Sequence, residues 1–371
     1  MVWSVDGGKK KLFKLIAPPK LEITEKDIQK NLSFDIPVHI LLQICAAINS
    51  GKNIILVGAP GTGKTTVAQA ICKAAYFKLF SLGTGMFTTA TSDWSTFDTV
   101  GGYMPNVNGR GSLEFSEGII TRAINRREWL IIDEINRADI DKALGPFFSV
   151  FSQHEVVLPF KTQKGDNLKI KPGTKTSTAD TFYMHPLWRL IGTMNDFDKL
   201  SLYEISYAFM RRFAIIRIPI PRESELKNII STLVPNCNLD TGFSKLFKIS
   251  KHREIGPSVF LDMAKYIINR NQDPAAQTAE HLREAIELFL FPQFEGLSRT
   301  IKKEIGNIIN DAIPMYPLND ERLEFGLLKL PKMESENDSL KDDIPKIEEA
   351  SKEIEIVHEE ETSYDPDKET N

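Results

Sequence analysis

Gly58-Ala59-Pro60-Gly61-Thr62-Gly63-Lys64-Thr65 is the most specific chemical pattern in this sequence: GxxxxGK and a hydroxyl residue, placed directly after the apolar run NIILVG and directly before a helical pattern. Glycines without side chains let backbone N–H groups close around phosphate and can take positive φ, while the helix N-terminus adds its dipole. Lys64 supplies a point charge for the β and γ phosphates. Thr65 supplies a hydroxyl for Mg²⁺, and Thr66 completes the candidate cradle.

Trp129-Leu130-Ile131-Ile132-Asp133-Glu134 is the second element, an apolar strand that delivers two carboxylates at its C-terminal end about 70 residues after the loop. Asp133 is the candidate for the Mg²⁺ shell, and Glu134 for orienting and deprotonating an attacking water. Adjacent carboxylates can divide the work in this way, one neutralised by metal and the other facing the nucleophile.

These residues need a scaffold, and the sequence supplies one. Short apolar runs alternate with helical patterns: NIILVG, a helix from Lys64 to about Ala75, FKLFSL, WLIIDE, a helix near Asp141 to Ser152, RLIGTMN and FAIIRIPI. Near-continuously apolar strands separated by helices predict an α/β fold, a parallel sheet covered by helices on both faces. After Pro221 the pattern is helical only, with apolar stripes at Phe260, Met263, Ala264, Ile267 and Ile268 and at Leu282, Ala285, Ile286 and Phe289. The expected organisation is an N-terminal extension (1–35), a nucleotide-binding core (36–220), a small all-helical lid (221–333) and an acidic tail (334–371). Two stretches interrupt the core, a Gly-, Thr- and Asp-rich one near 84–118 and one near 155–186 that alternates as a hairpin does in EVVLPF and LKIKPG.

On these motifs the chain resembles the AAA+ ATPases, and within them the dynein-related branch of MoxR-type chaperones and McrB-type restriction motors. The likeness runs from about Ile36 to Ser298. It rests on the phosphate loop, Ile131–Gly145 (IIDEINRADIDKALG), Ile191–Asp196 (IGTMND), Ala208–Phe213 (AFMRRF), Glu254–Tyr266 (EIGPSVFLDMAKY) and Phe291–Leu297 (FPQFEGL). The resemblance implies that the interruptions are this branch's insert in the second helix and its hairpin before the sensor-1 strand. It places Asn195 at the sensor-1 position, where an amide can bond both the γ-phosphate and the attacking water. It also gives Arg211 or Arg212 the role of an arginine finger toward a neighbouring subunit, a task suited to a planar cation that stays charged. The stretch Gly256-Pro257-Ser258-Val259-Phe260 lacks the arginine that many relatives use as sensor 2, with Arg253 the nearest substitute.

Composition sets the setting. At 42% hydrophobic and 26% charged, the 371 residues suit a soluble globular protein with room for a full core. The net charge of −4 averages two unlike parts: Glu334–Asn371 holds 15 acidic and 4 basic residues, and residues 1–333 carry about +7. The tail has too little apolar material to offset its ordering entropy and is expected to be disordered. Cys45, Cys72 and Cys237 form no CxxC pair, and His154, His185, His252, His281 and His358 have no ligand spacing, so metal chemistry beyond Mg²⁺ is not expected. No apolar run approaches the roughly 20 residues of a membrane span, and no secretory h-region follows the first residues. A reducing, cytoplasmic setting follows.

The expected function is ATP hydrolysis with Mg²⁺ at the interfaces of a ring, a hexamer, that remodels an unidentified client protein. One alternative is a GTP-hydrolysing motor subunit of a McrB-type restriction complex with nucleic acid and a nuclease as partners. The roughly 40 residues before the core are few for a DNA-reading domain. Another is a nucleotide-gated scaffold, disfavoured because Lys64, Asp133, Glu134, Asn195 and the arginine pair are all present. Trp94, Phe97 and Tyr103 in the first interruption either grip a partner in the pore or pack onto their own domain. Base preference is unread, because the motif residues touch only phosphate and metal.

Overall fold

The computed structural model describes residues 2–6, 9–13, 20–105, 113–161, 165–195, 206–237, 242–270 and 278–314. The acidic tail from Glu334, and residues 315–333 of the expected lid, lie outside the described residues. In chain order the strands are β1 (Val2–Asp6), β2 (Lys9–Phe13), β3 (Asn53–Gly58), β4 (Met86–Thr89), β5 (Gly101–Pro105), β6 (Leu113–Glu117), β7 (Leu130–Asp133), β8 (Val156–Lys161), β9 (Asn167–Pro172), β10 (Thr181–Met184), β11 (Leu190–Asn195) and β12 (Phe213–Arg217). The α-helices are α1 (Glu25–Gln29), α2 (Val38–Asn49), α3 (Lys64–Phe77), α4 (Thr96–Thr99), α5 (Ile119–Arg126), α6 (Ile140–Phe151), α7 (Tyr207–Met210), α8 (Glu223–Leu233), α9 (Pro257–Arg270), α10 (Thr278–Ala285) and α11 (Arg299–Ala312).

The central sheet has the order β12-β3-β11-β7-β4, and every pairing in it is parallel. All six residues of β3 are buried. Strand alternation sends Ile54 and Leu56 to one face, where Ile40, Ile44, Val67 and Ile71 of α2 and α3 cover them. Ile55 and Val57 go to the other face, against Ile120 and Ile124 of α5 and Leu144 and Phe147 of α6. The expected α/β architecture is therefore present, and β3, β7 and β11 carry the candidate site residues at their C-terminal ends.

One expected strand is misplaced. FKLFSL is not in the sheet: α3 continues through Phe77, Leu79 takes φ +60°, and Phe77, Leu79 and Leu82 are exposed. The edge strand is β4, inside the stretch assigned to the first interruption, where Met86 pairs with Leu130 and Thr89 with Asp133. An edge strand half-covered by its neighbours tolerates the mixed sequence MFTT, which carries little apolar signal.

The remainder of the first interruption forms α4 and the antiparallel pair β5 and β6. The second forms the expected hairpin of β8 and β9, with β10 added parallel to β9. Tyr103 joins the two: its hydroxyl donates to the Lys161 carbonyl at 2.6 Å and accepts from the Lys161 N–H at 2.5 Å, and its ring stands edge-on to Phe160. Trp94 packs on the core, while Phe97 is half exposed and lies against Gly102. After β12 the described residues are helical and share a separate core. Phe260, Met263, Ala264, Ile267, Leu282, Ala285 and Ile286 are buried in it, as the stripes required, with Ile268 and Phe289 packed against its edge.

Candidate functional site

The phosphate loop spans the turn from β3 into α3. Gly61 and Gly63 have φ of +75° and +85°, conformations that L side chains rarely adopt. Gly58 is required for another reason, since a Cβ there would fall 2.4 Å from the Ile218 carbonyl. Thr62 closes the loop by donating to the Ala59 carbonyl at 2.9 Å. Above Gly63 sits the Phe34 ring, brought there by a segment anchored at α1, where Thr24 and Asp27 form a capping box and Asp27 meets Lys78, just after α3, at 3.1 Å.

Lys64 is buried, and its ammonium donates to the Gly58 carbonyl at 3.0 Å, the Ala59 carbonyl at 2.9 Å and Asn195 Oδ1 at 2.8 Å. The Asn195 amide in turn donates to Glu134 Oε1 at 2.5 Å. A continuous hydrogen-bonded chain thus runs from the loop lysine through the end of β11 to the carboxylate at the end of β7. Thr65 Oγ1 donates to Asp133 Oδ1 at 2.8 Å.

Asp133 and Glu134 follow one another, so an extended backbone would aim them at opposite faces of the sheet. The structure resolves this at Glu134, which has φ +51° and ψ +45°. A left-handed residue with a side chain costs about 1–2 kcal/mol. Two bonds hold it there: its N–H donates to Thr193 Oγ1 at 3.1 Å, and its carbonyl accepts from the Arg137 N–H at 2.9 Å. Arg137 also approaches Glu134 Oε2 at 3.9 Å.

These groups line a cavity of about 470 Å³. Its polar lining includes Gly61, Lys64, Thr65, Asp133, Glu134 and Asn195, its apolar lining Phe34, Ile36, Pro37, Ile218, Leu233 and Leu261, and Asp35 and Glu225 line it as well. Polar groups for phosphates together with apolar walls for a flat ring match a nucleotide. The donor set also fits Mg²⁺, a hard cation held by one or two protein oxygens together with phosphate oxygens. Thr65 and Asp133 offer those oxygens side by side. Among the described residues no cluster of three or more His, Cys, Asp or Glu forms a separate metal site.

Arg211 and Arg212 lie elsewhere. They precede Phe213, which pairs with Asn53 at the opposite end of β3 from Gly58, roughly 15–20 Å away at the rise of a strand. Arg212 is engaged within the chain: its Nε donates to the Phe148 carbonyl at 2.7 Å, its Nη1 donates to the Ala208 carbonyl, and its guanidinium stacks on the Phe148 ring. Arg211 is exposed, and Lys52 donates to its main-chain carbonyl. Arg253 is not among the residues lining the cavity, whereas Ser258 is.

Two groups escaped the sequence reading. Thr193 was detectable, because it stands two positions before Asn195 in a strand and so shares its face. Ser258 was not, because its approach to Gly61 depends on how α9 packs.

The family model for the AAA domain of the dynein-related subfamily matches residues 53–213. Over 190 residues the chain is 30% identical to the Type IV methyl-directed restriction enzyme EcoKMcrB subunit of Escherichia coli (strain K12), covering 49% of this chain and 39% of that protein. Over 193 residues it is 25% identical to the uncharacterized protein YojN of Bacillus subtilis (strain 168), covering 52% and 55%. The chain therefore spans about half, or less, of the curated relatives it matches. The RuvB Holliday junction branch migration motor of Thermotoga maritima aligns over 81% of this chain and 85% of that chain at 19% identity, with a TM-score of 0.43, a similarity too loose to bear on function. Among the described residues no helix is long and apolar enough to cross a membrane. The phosphate loop, both carboxylates and Asn195 all fall inside the matched span, so residues 53–213 are similar to the AAA domain of the dynein-related subfamily and carry its phosphate-site motifs.

Proposed function

We propose that this chain hydrolyses a nucleoside triphosphate, ATP in the first instance, and uses the reaction to remodel a partner protein from within a ring of its own copies. The observation that carries this reading is the chain of hydrogen bonds from Lys64 through Asn195 to Glu134, with Thr65 and Asp133 paired beside it. Backbone N–H groups at Gly61 and Gly63 and the Lys64 ammonium bind the phosphates. Thr65 and Asp133 would hold Mg²⁺, which would neutralise charge on the phosphate oxygens. Glu134 takes the proton of the attacking water, and Asn195 orients it from the opposite side. An arginine at 211 or 212 acts toward a neighbouring copy, because neither reaches its own cavity. The exposure of Arg211, against the engagement of Arg212 within the chain, makes Arg211 the better candidate.

A second reading, a GTP-hydrolysing motor acting with nucleic acid, is favoured by the 30% identity to the restriction subunit. Asp35 and Glu225 also line the cavity, and a carboxylate there suits the N–H donors of a guanine edge, although Glu225 Oε2 already accepts from the Arg222 N–H at 2.8 Å. Phosphate release from ATP and from GTP, measured side by side with and without DNA, separates the readings. ATP turnover indifferent to DNA supports the remodelling reading, GTP turnover stimulated by DNA supports the motor, and tight nucleotide binding without turnover of either leaves only a nucleotide-gated scaffold.

A further inference from the structure

We propose that Thr193 is a positioning residue for both carboxylates, setting the conformation at Glu134 and the orientation of Asp133 through a single hydroxyl. The inference rests on the reading of the cavity as a Mg²⁺-nucleotide site. Thr193 is 1% exposed, and its Oγ1 makes two bonds whose directions are chemically forced. An amide N–H can only donate, so the hydroxyl accepts from Glu134 N–H at 3.1 Å. Having accepted there, it donates its proton to Asp133 Oδ1 at 2.5 Å, the same oxygen that Thr65 reaches from the phosphate loop.

The consequence for the site is geometric. The two donated bonds saturate one face of Asp133 Oδ1 and fix the rotation of the carboxylate, leaving Oδ2 as the oxygen able to serve Mg²⁺ or its bound water. The accepted bond ties the peptide between Asp133 and Glu134, the unit that must turn for Glu134 to share a face with Asp133. Register explains why this one residue can do both. Parallel pairing sets Gly192 beside Ile132, so the next position on β11 stands beside the carboxylate end of β7. Strand alternation then places Thr193 and Asn195 on one face, with Thr193 serving the Asp133 side chain and the Glu134 main chain while Asn195 serves the Glu134 side chain.

The test compares Thr193→Val, which keeps the shape and removes the hydroxyl, with Thr193→Ser, which keeps the hydroxyl, and Thr193→Ala, which removes both. The first readout is nucleotide affinity as a function of Mg²⁺, measured with a fluorescent ATP analogue and again with the GTP analogue. Thr193→Val should raise the half-saturating Mg²⁺ on the order of 10-fold or more, the worth of a hydrogen bond to a charged group, and leave affinity in EDTA near that of the wild type. The second readout is turnover, which should fall at least as far, with Thr193→Ser recovering most of the loss and Thr193→Ala none of it. Should Thr193→Val fail to fold, the contrast between Ser and Ala decides alone. A wild-type Mg²⁺ profile and rate in folded Thr193→Val, or equal impairment of Ser and Ala, would overturn the proposal. If the wild type binds Mg²⁺-nucleotide but hydrolyses neither substrate, the hydrolytic reading fails and the Mg²⁺ profile still decides this one.

Discussion

Gly61 and Ser258 touch. The Ser258 N–H donates to the Gly61 carbonyl at 3.3 Å, and a Cβ on Gly61 would fall 1.9 Å from Ser258 Oγ. The start of α9 is therefore seated on the phosphate loop, and Gly256 reinforces the fit, since a Cβ there would meet the Pro60 carbonyl at 2.2 Å.

Gly61→Ala should accordingly weaken nucleotide binding and lower stability by about 1–2 kcal/mol, combining the cost of φ +75° for alanine with displacement of α9. Adding Ser258→Gly removes the collision and leaves the conformational cost, so the double variant should recover part of the affinity. Isothermal titration and thermal unfolding across the four proteins give the coupling directly. Strict additivity would show that the contact does not matter.

Glu134→Gln should keep nucleotide affinity near wild type, because the amide oxygen can still accept from Asn195, while turnover falls by about 10²–10⁴ fold with loss of the base. Lys64→Ala should instead abolish binding, because its charge meets the phosphates before any reaction. Equilibrium binding and single-turnover rates measured on both variants distinguish a ground-state from a transition-state role. Undiminished hydrolysis by Glu134→Gln would refute its assignment.

The arginine pair should divide by function. Arg212→Ala loses bonds to two carbonyls and a stacked ring and should lower the unfolding midpoint. Arg211→Ala should leave that midpoint alone and suppress hydrolysis by about 10³ fold or more, as an arginine finger acting in trans would. Mixing Arg211→Ala with Glu134→Gln should restore partial activity, since some interfaces then pair an intact carboxylate with an intact arginine. No rescue from the mixture would remove the trans assignment.

His185 gives a signature in acid. Burial, then the nearby Arg127 and Arg189 charges, push its pKa down to about 4 from the ordinary 6.5. A folded-state value below the unfolded one means that the neutral ring's contribution to stability is fully present above about pH 6.5 and is lost as pH falls toward 4. His185→Gln should flatten urea stability across that window relative to wild type. Parallel curves for the two proteins would exclude the histidine as the source.

The legible parts of the sequence are those in which spacing alone defines geometry. Gly61 and Gly63 announce a loop whose φ values only glycine takes readily, and the runs around Ile54 and Ile131 announce strands covered on both faces. The run FKLFSL misled because apolar letters at a helix end and an exposed turn look like a strand, while the true edge strand, Met86–Thr89, is half polar. The pairing of Tyr103 with Lys161 was unreadable for a different reason: it joins residues 58 positions apart, and neither composition nor period encodes a contact between strands of two separate small sheets. Similarly, nothing local in AFMRRF distinguishes Arg211 from Arg212. Only the position of the Phe148 carbonyl and ring does so.

The hydrogen-bonded chain at the cavity also bears on how the molecule folds. Lys64 and Asn195 are 131 positions apart, Thr65 and Asp133 are 68 apart, and Glu134 and Asn195 are 61 apart. Each of these contacts closes a long loop, so none is available to a nascent or partly collapsed chain until β3, β7 and β11 lie side by side. Nucleotide would then act as a reporter of completed topology, stabilising the native state alone and leaving folding intermediates unassisted. It should slow unfolding of the finished molecule far more than it speeds refolding.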